Sequence, residues 1–61
     1  MRIKDIKDYI GTLEPVRIIG DDFKEISRTM SMDLPKELFE RKIKHIYAVG
    51  SLINIIVKGK G

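Results

Sequence analysis

The sequence predicts an α+β domain, a small antiparallel sheet of three to four strands packed against two short helices. Three observations predict it. Isoleucines recur at helical spacing in "MRIKDIKDYI"; "PVRIIG" is short, β-branched and bounded by proline and glycine; and "KHIYAVGSLINIIVKGKG" holds two apolar runs around a glycine-serine pair. Sixty-one residues allow one domain at most. Residues 1–58 read as that domain and 59–61 as a flexible basic tail.

The first segment reads as a helix because Ile3, Ile6 and Ile10 gather on one face while Asp5, Lys7 and Asp8 occupy the other. Gly11 is placed to end it as a left-handed cap, and Pro15 blocks any continuation. "PVRIIG" then reads as a strand.

Residues 22–31 admit two readings. In one, Gly20-Asp21-Asp22 is a turn and Lys24, Ile26, Arg28, Met30 and Met32 share a face of a returning strand. In the other, Asp22 caps a helix with Glu25 at its third position and Phe23, Ile26 and Met30 as its stripe. The strand is favoured, since an isolated "PVRIIG" needs a neighbour for its backbone groups. "DLPKELFERK" reads as the second helix, with Pro35 at its first position, Asp33 and Glu37 at the positive end, and Arg41 and Lys42 at the negative end. Leu34, Leu38 and Phe39 would press onto the sheet.

Taking Gly50-Ser51 as a two-residue type II′ turn fixes the register of the closing hairpin. Val49 then opposes Leu52, Ala48 opposes Ile53, Tyr47 opposes Asn54, Ile46 opposes Ile55 and His45 opposes Ile56. One face carries Ile46, Ala48, Ile53, Ile55 and Val57, with Lys44 at its far end, and reads as core. The other gathers His45, Tyr47 and Asn54 into one patch. That patch reads as a wet surface, a subunit interface, or a binding site in which tyrosine offers a stacking plane and histidine and asparagine offer hydrogen bonds.

Composition narrows the function classes. The chain has no cysteine, which excludes disulfide and thiolate-zinc frameworks. Its single histidine does not anchor a zinc site without carboxylates from elsewhere, and no cofactor is expected. Neither a Gly-x-Ser-x-Gly elbow nor a Gly-rich phosphate loop occurs, so the chain reads as a non-enzyme. No apolar run is long enough to span a bilayer and the start is charged throughout, so a cytoplasmic location with no membrane partner is expected. A core this small usually needs tight packing or a partner subunit, hence an expected homodimer.

Residues 1–40 carry seven Lys/Arg against nine Asp/Glu, whereas Arg41, Lys42, Lys44, Lys58 and Lys60 follow with no acid. Such asymmetry marks either a solvated surface or an anionic partner. At the hairpin's open end these five cations form an alternative site for an anion or nucleic acid.

The pieces "MRIKD", "DLPKELFERK" and "LINIIV" resemble the pattern of small uncharacterised proteins of Firmicutes and their phages or mobile elements, which begin M-x-[IV]-K-D and carry D-[IL]-P-x-E-L-[LF] before a final hairpin. The chain departs from that pattern at "FKEISRTMSM", where a glycine-bearing acidic hairpin is expected. The resemblance implies an accessory or anti-defence factor without enzyme activity, acting by stoichiometric binding to a host protein or a small ligand.

Overall fold

The computed structural model describes residues 1–11 and 13–59. Four strands form one sheet: β1 (Pro15–Ile19), β2 (Glu25–Met30), β3 (Ile43–Val49) and β4 (Leu52–Val57). Their spatial order is β2-β1-β4-β3. The outer pairs are antiparallel, but the central pair, β1 with β4, is parallel. The sheet is therefore mixed, which corrects the expected antiparallel one. Two hairpins lie side by side with their most aliphatic strands innermost. An inner strand has a neighbour on each side, and Ile18-Ile19 and Ile55-Ile56-Val57 are buried at successive positions, so residues of these strands are buried on either face.

The two expected helices are reduced to single turns. α1 spans only Ile3–Ile6, and 3₁₀ turns cover Ser31–Asp33 and Lys36–Leu38. After Lys7 N–H donates to the Ile3 carbonyl, Tyr9 N–H reaches only Ile6, a tightening that ends the helix. Gly11 does not cap it in a left-handed conformation, because Gly50 is the glycine with positive φ among the described residues. Pro35 precedes the second 3₁₀ turn instead of opening a helix, with ψ at 135°. Neither segment needs more helix to place its apolar residues. Ile3, Leu34 and Leu38 still pack against Val16, Ile18, Ile55 and Val57, with Ile6, Ile10, Phe39, Ile43 and Ile53 around them.

Residues 22–31 follow the strand reading. The Phe23 N–H closes a turn on the Gly20 carbonyl, and the Asp22 carboxylate accepts the Lys24 N–H. The shared face expected for Lys24 to Met32 is corrected at both ends. A bulge shifts the pairing between Ile18/Ile19 and Ser27/Glu25, and Met32 falls in a 3₁₀ turn. The Ser31 hydroxyl donates to the Gly11 carbonyl and ties this turn back to the end of the first segment.

The N-terminal residues lie beside the start of β3. Arg2 bridges to Lys42, the Met1 carbonyl accepts the Ile43 N–H, and Ile3 N–H donates to Arg41. Glu40 accepts a hydrogen bond from Lys4 at 2.9 Å. Of the expected tail, Gly59 donates its N–H to Asp21 at 3.0 Å, while Lys60 and Gly61 lie outside the described residues. No helix among the described residues is long and apolar enough to cross a membrane.

Candidate functional site

The helical turns cover one face of the sheet, and the other face is the candidate site. The closing hairpin has the register expected of it, from Val49 opposite Leu52 to His45 opposite Ile56. Gly50, with φ at +60°, provides the reversal. The departure comes at Lys44, where a bulge sets Ile43 opposite Val57 and leaves Lys44 out of the pairing.

Because β1 lies beside β4, the open face continues across all four strands. Arg28, Arg17, Asn54 and Tyr47 are successive partners from edge to edge, and Glu25, Ile19, Ile56 and His45 form the next row. By alternation, Pro15 and Met30 join Leu52 and Val49 beyond them. Strands spaced about 4.8 Å apart put the Arg17 and Tyr47 backbones roughly 10 Å from each other.

The predicted trio is brought together but in unequal roles. His45 and Tyr47 stand side by side, ring centroids 6.0 Å apart and planes tilted by 33°. Both are exposed. Asn54 lies beneath them at 2% exposure, its Nδ2 donating to the Leu52 carbonyl at 3.3 Å. It forms part of the floor with Ile19 and Ile56, which are also buried. A buried carboxamide is held by its hydrogen bonds, here to its own strand, so Asn54 belongs to the floor and is not the exposed hydrogen-bonding group that the sequence predicts.

The sequence reading missed Arg17, Arg28 and Glu25. The two arginines are direct cross-strand partners, an arrangement that by itself is unfavourable. One carboxylate offsets it. Glu25 Oε1 accepts from Arg17 Nε at 2.8 Å and from Arg28 Nε at 3.1 Å. The Arg17 hydrogen bond, opposed by partial desolvation and reinforced by Arg28, holds the Glu25 carboxyl below its ordinary value. Two guanidiniums and one carboxylate leave this end of the face with one net positive charge. The signal in the sequence was the Arg17/Arg28 pairing, which needs the first hairpin's register and its bulge. Phe23 was missed as a candidate too: it is 72% exposed at the hairpin tip with φ at 65°.

The expected core face is corrected at its outer corner. Ile55 and Val57 are buried and Ile53 is partly so, but Ile46 is 41% exposed and Ala48 is exposed. The helical turns stop short of the far end of β3.

At the base of the same hairpin, Arg41 donates Nη2 to the Lys58 carbonyl at 2.9 Å, and Lys58 N–H donates to Lys42. Arg41, Lys42 and Lys58 therefore share one end of the sheet, with Lys44 in the adjoining bulge. Lys60 lies outside the described residues. Arg41 is committed to holding β4's end, whereas the exposed Lys42, Lys44 and Lys58 have no ion pair among the described residues. On the helical layer a shallow recess is lined by Lys7, Asp8, Ile10, Ser31 and Met32. Among the described residues no three His, Asp or Glu side chains gather as a metal site would require.

The chain is thus a small protein built on a four-stranded mixed sheet with one short helix and two 3₁₀ turns among the described residues, one face of the sheet packed and the other open. No family model, curated protein or solved structure matches the chain.

Proposed function

We propose that the protein is a non-enzymatic binding module that holds a protein partner against the open face of its sheet. The observation that carries this reading is the composition of that face. Exposed Tyr47 and His45 sit at one side, a net-cationic arginine pair at the other, and buried Ile19, Asn54 and Ile56 between them. Tyrosine, arginine and methionine with aliphatic neighbours are the residues that protein interfaces favour, and lysine, which they disfavour, occupies none of the paired positions in these rows. The arginine end suits a partner that brings a carboxylate beside an apolar patch. The phage or mobile-element setting implied by the resemblance fits a protein that blocks a host factor by stoichiometric capture.

The test is a variant carrying Tyr47→Ala and Arg28→Ala, compared with the unaltered protein for capture of partners from a host-cell extract. Neither side chain belongs to the core, so circular dichroism should be unchanged while capture is lost. Equal capture by both proteins would remove the face from consideration.

Lys42, Lys44 and Lys58, exposed and without an ion pair among the described residues, favour a second reading, in which the hairpin base binds nucleic acid. That reading expects oligonucleotide affinity that falls steeply as salt is raised. Binding that is absent, or indifferent to salt, would remove it.

A further inference from the structure

The outer edge of β3 is divided into a covered part and an uncovered part. At its start the Met1 carbonyl takes the Ile43 N–H, and Arg2 bridges to Lys42. Past the Lys44 bulge, no described segment lies along it.

Turn geometry determines which backbone groups point outward there. In a two-residue hairpin the residues flanking the turn are hydrogen-bonded to each other, here Val49 with Leu52. Bonded and non-bonded pairs alternate along an antiparallel ladder, so Tyr47 and His45 direct their backbone groups at β4. Ile46 and Ala48 then direct theirs outward, and neither has a backbone partner across that edge among the described residues.

The side chains along this length are apolar on both faces. Ile46 and Ala48 are exposed on the helical side, and Tyr47 and Val49 are exposed on the open side at 38% and 62%. No charged residue occurs from Ile46 to Leu52. A hydrophobic edge with unpaired amides and carbonyls is a template for another strand.

We infer that the uncovered length of β3 is the interface to a second copy of this chain, paired antiparallel about a two-fold axis at Tyr47. Two features select a second copy. The first is hydrogen-bond matching: with Tyr47 opposite the partner's Tyr47, Ile46 opposes the partner's Ala48, and every outward N–H and C=O of both residues is satisfied in both subunits. The same register sets a large side chain against a small one on the helical side. The second is charge. Antiparallel pairing carries Lys44 to the partner's Gly50, far from the partner's Lys44, and the structure leaves open space around the glycine of that turn. A parallel arrangement would set the two lysines together. A symmetric contact of this kind is isologous and closes as a dimer without opening a filament. The eight-stranded sheet that results would align the two Arg28-to-Tyr47 rows end to end across the axis.

The interface shares the Tyr47 and Val49 side chains with the open face but rests on the outward backbone of Ile46 and Ala48, so variants at those two residues test it while leaving the open face unaltered. Light scattering on the purified protein should give twice the chain mass of 7.0 kDa at high concentration. Hydrogen exchange should show the Ile46 and Ala48 amides becoming protected as concentration rises, with the amides of β2 unaffected. Ala48→Pro removes an outward N–H that makes no bond within the subunit, and edge strands accept proline at such positions. It should restore the single-chain mass; Ile46→Lys should do the same if the proline variant does not fold. A single-chain mass at every concentration would overturn the inference. So would a doubled mass with rapidly exchanging Ile46 and Ala48 amides, which would place the contact elsewhere and bear instead on the open face.

Discussion

The two hairpins share a plan, an inner strand joined by a tight turn to an outer one, but they treat their outer edges differently. In the first, Ser31 N–H bonds to the Glu14 carbonyl, so alternation points the backbone groups of Arg28 and Met30 outward from β2. That edge is guarded by Glu25 and Arg28, which are paired with each other, and by a bulge near its start. In the second, the guards of β3 are the Lys44 bulge and the N-terminal residues, and they protect only the beginning. The remaining length, Ile46 to Val49, is uncharged and exposed. Charge and bulges are the usual means of preventing edge-to-edge pairing, so their absence from half of one edge indicates where pairing is tolerated.

The largest effect that sharpens this contrast comes from a directly opposed pair. Ile46 and Ile55 face each other, one on the outer strand and one on the inner, yet they are 41% and 0% exposed. Ile55→Ala should cost about 2–5 kcal/mol, enough to threaten folding in a domain of this size. Ile46→Ala should cost about 1 kcal/mol or less, since much of its surface is already in water. Urea titration of both variants measures the difference. Equal losses would mean that the outer strand is buried in the folded protein as it exists in solution, as the dimer would require at high concentration. Measuring at several concentrations separates the two cases.

The turns differ as the edges do. Gly50 holds φ at +60°, and a Cβ there would meet nothing within 4 Å. Gly50→Ala therefore carries only a conformational cost, about 1–2 kcal/mol, with no clash added. In the first hairpin the corresponding left-handed position is occupied by Phe23, exposed to solvent. Relief of that strain, about 1–2 kcal/mol, is partly offset by glycine's extra backbone entropy in the unfolded chain, about 0.5–1 kcal/mol. Phe23→Gly should thus leave stability unchanged or raise it by up to roughly 1.5 kcal/mol, and thermal melting measures the change. A loss of stability would mean that the phenyl ring makes contacts its exposure does not suggest. Strain kept at an exposed aromatic is also a reason to include Phe23 when partner binding is assayed.

These differences show how far the sequence could be read. The second hairpin was legible because Gly50-Ser51 fixes a register, and a fixed register assigns every side chain to a face. His45, Tyr47 and Asn54 were placed together on that basis. The burial of Asn54 was not legible, because it depends on β1 lying beside β4. That contact joins segments far apart in the chain and leaves no local trace except the unbroken aliphatic run at Ile55-Ile56-Val57. The helices were overread for a related reason. Ile3, Ile6 and Ile10 all turn inward, as helical spacing implies, yet one turn followed by a tighter one suffices to turn them. Periodicity reports which side chains face the core, and it does not report how many backbone bonds continue the helix. Arg17 and Arg28 escaped notice because their pairing depends on a bulged hairpin with no glycine at its left-handed position.

The smallest effect concerns the guard on the β2 edge. The carboxyl of Glu25 lies below its ordinary value of 4.5 because the folded state surrounds it with Arg17 and Arg28. A group whose folded value is depressed stabilises the fold above its unfolded value, and it loses that contribution as pH falls through the folded one. The stability of the unaltered protein should therefore decline slightly more below pH 4.5 than that of a Glu25→Gln variant, with the two curves parallel at neutral pH and above. Denaturant midpoints measured across that range test it, and superimposable pH dependences would show that the carboxylate is not held by the arginines. The same variant unbalances the Arg17–Arg28 pair. With no negative charge between them, the open face gains an uncompensated positive charge at its β2 end, so an acidic partner should be held more tightly while the mass of the protein stays as it was. A change in mass on replacing Glu25 would tie the β2 edge to self-association and erase the distinction between the two edges.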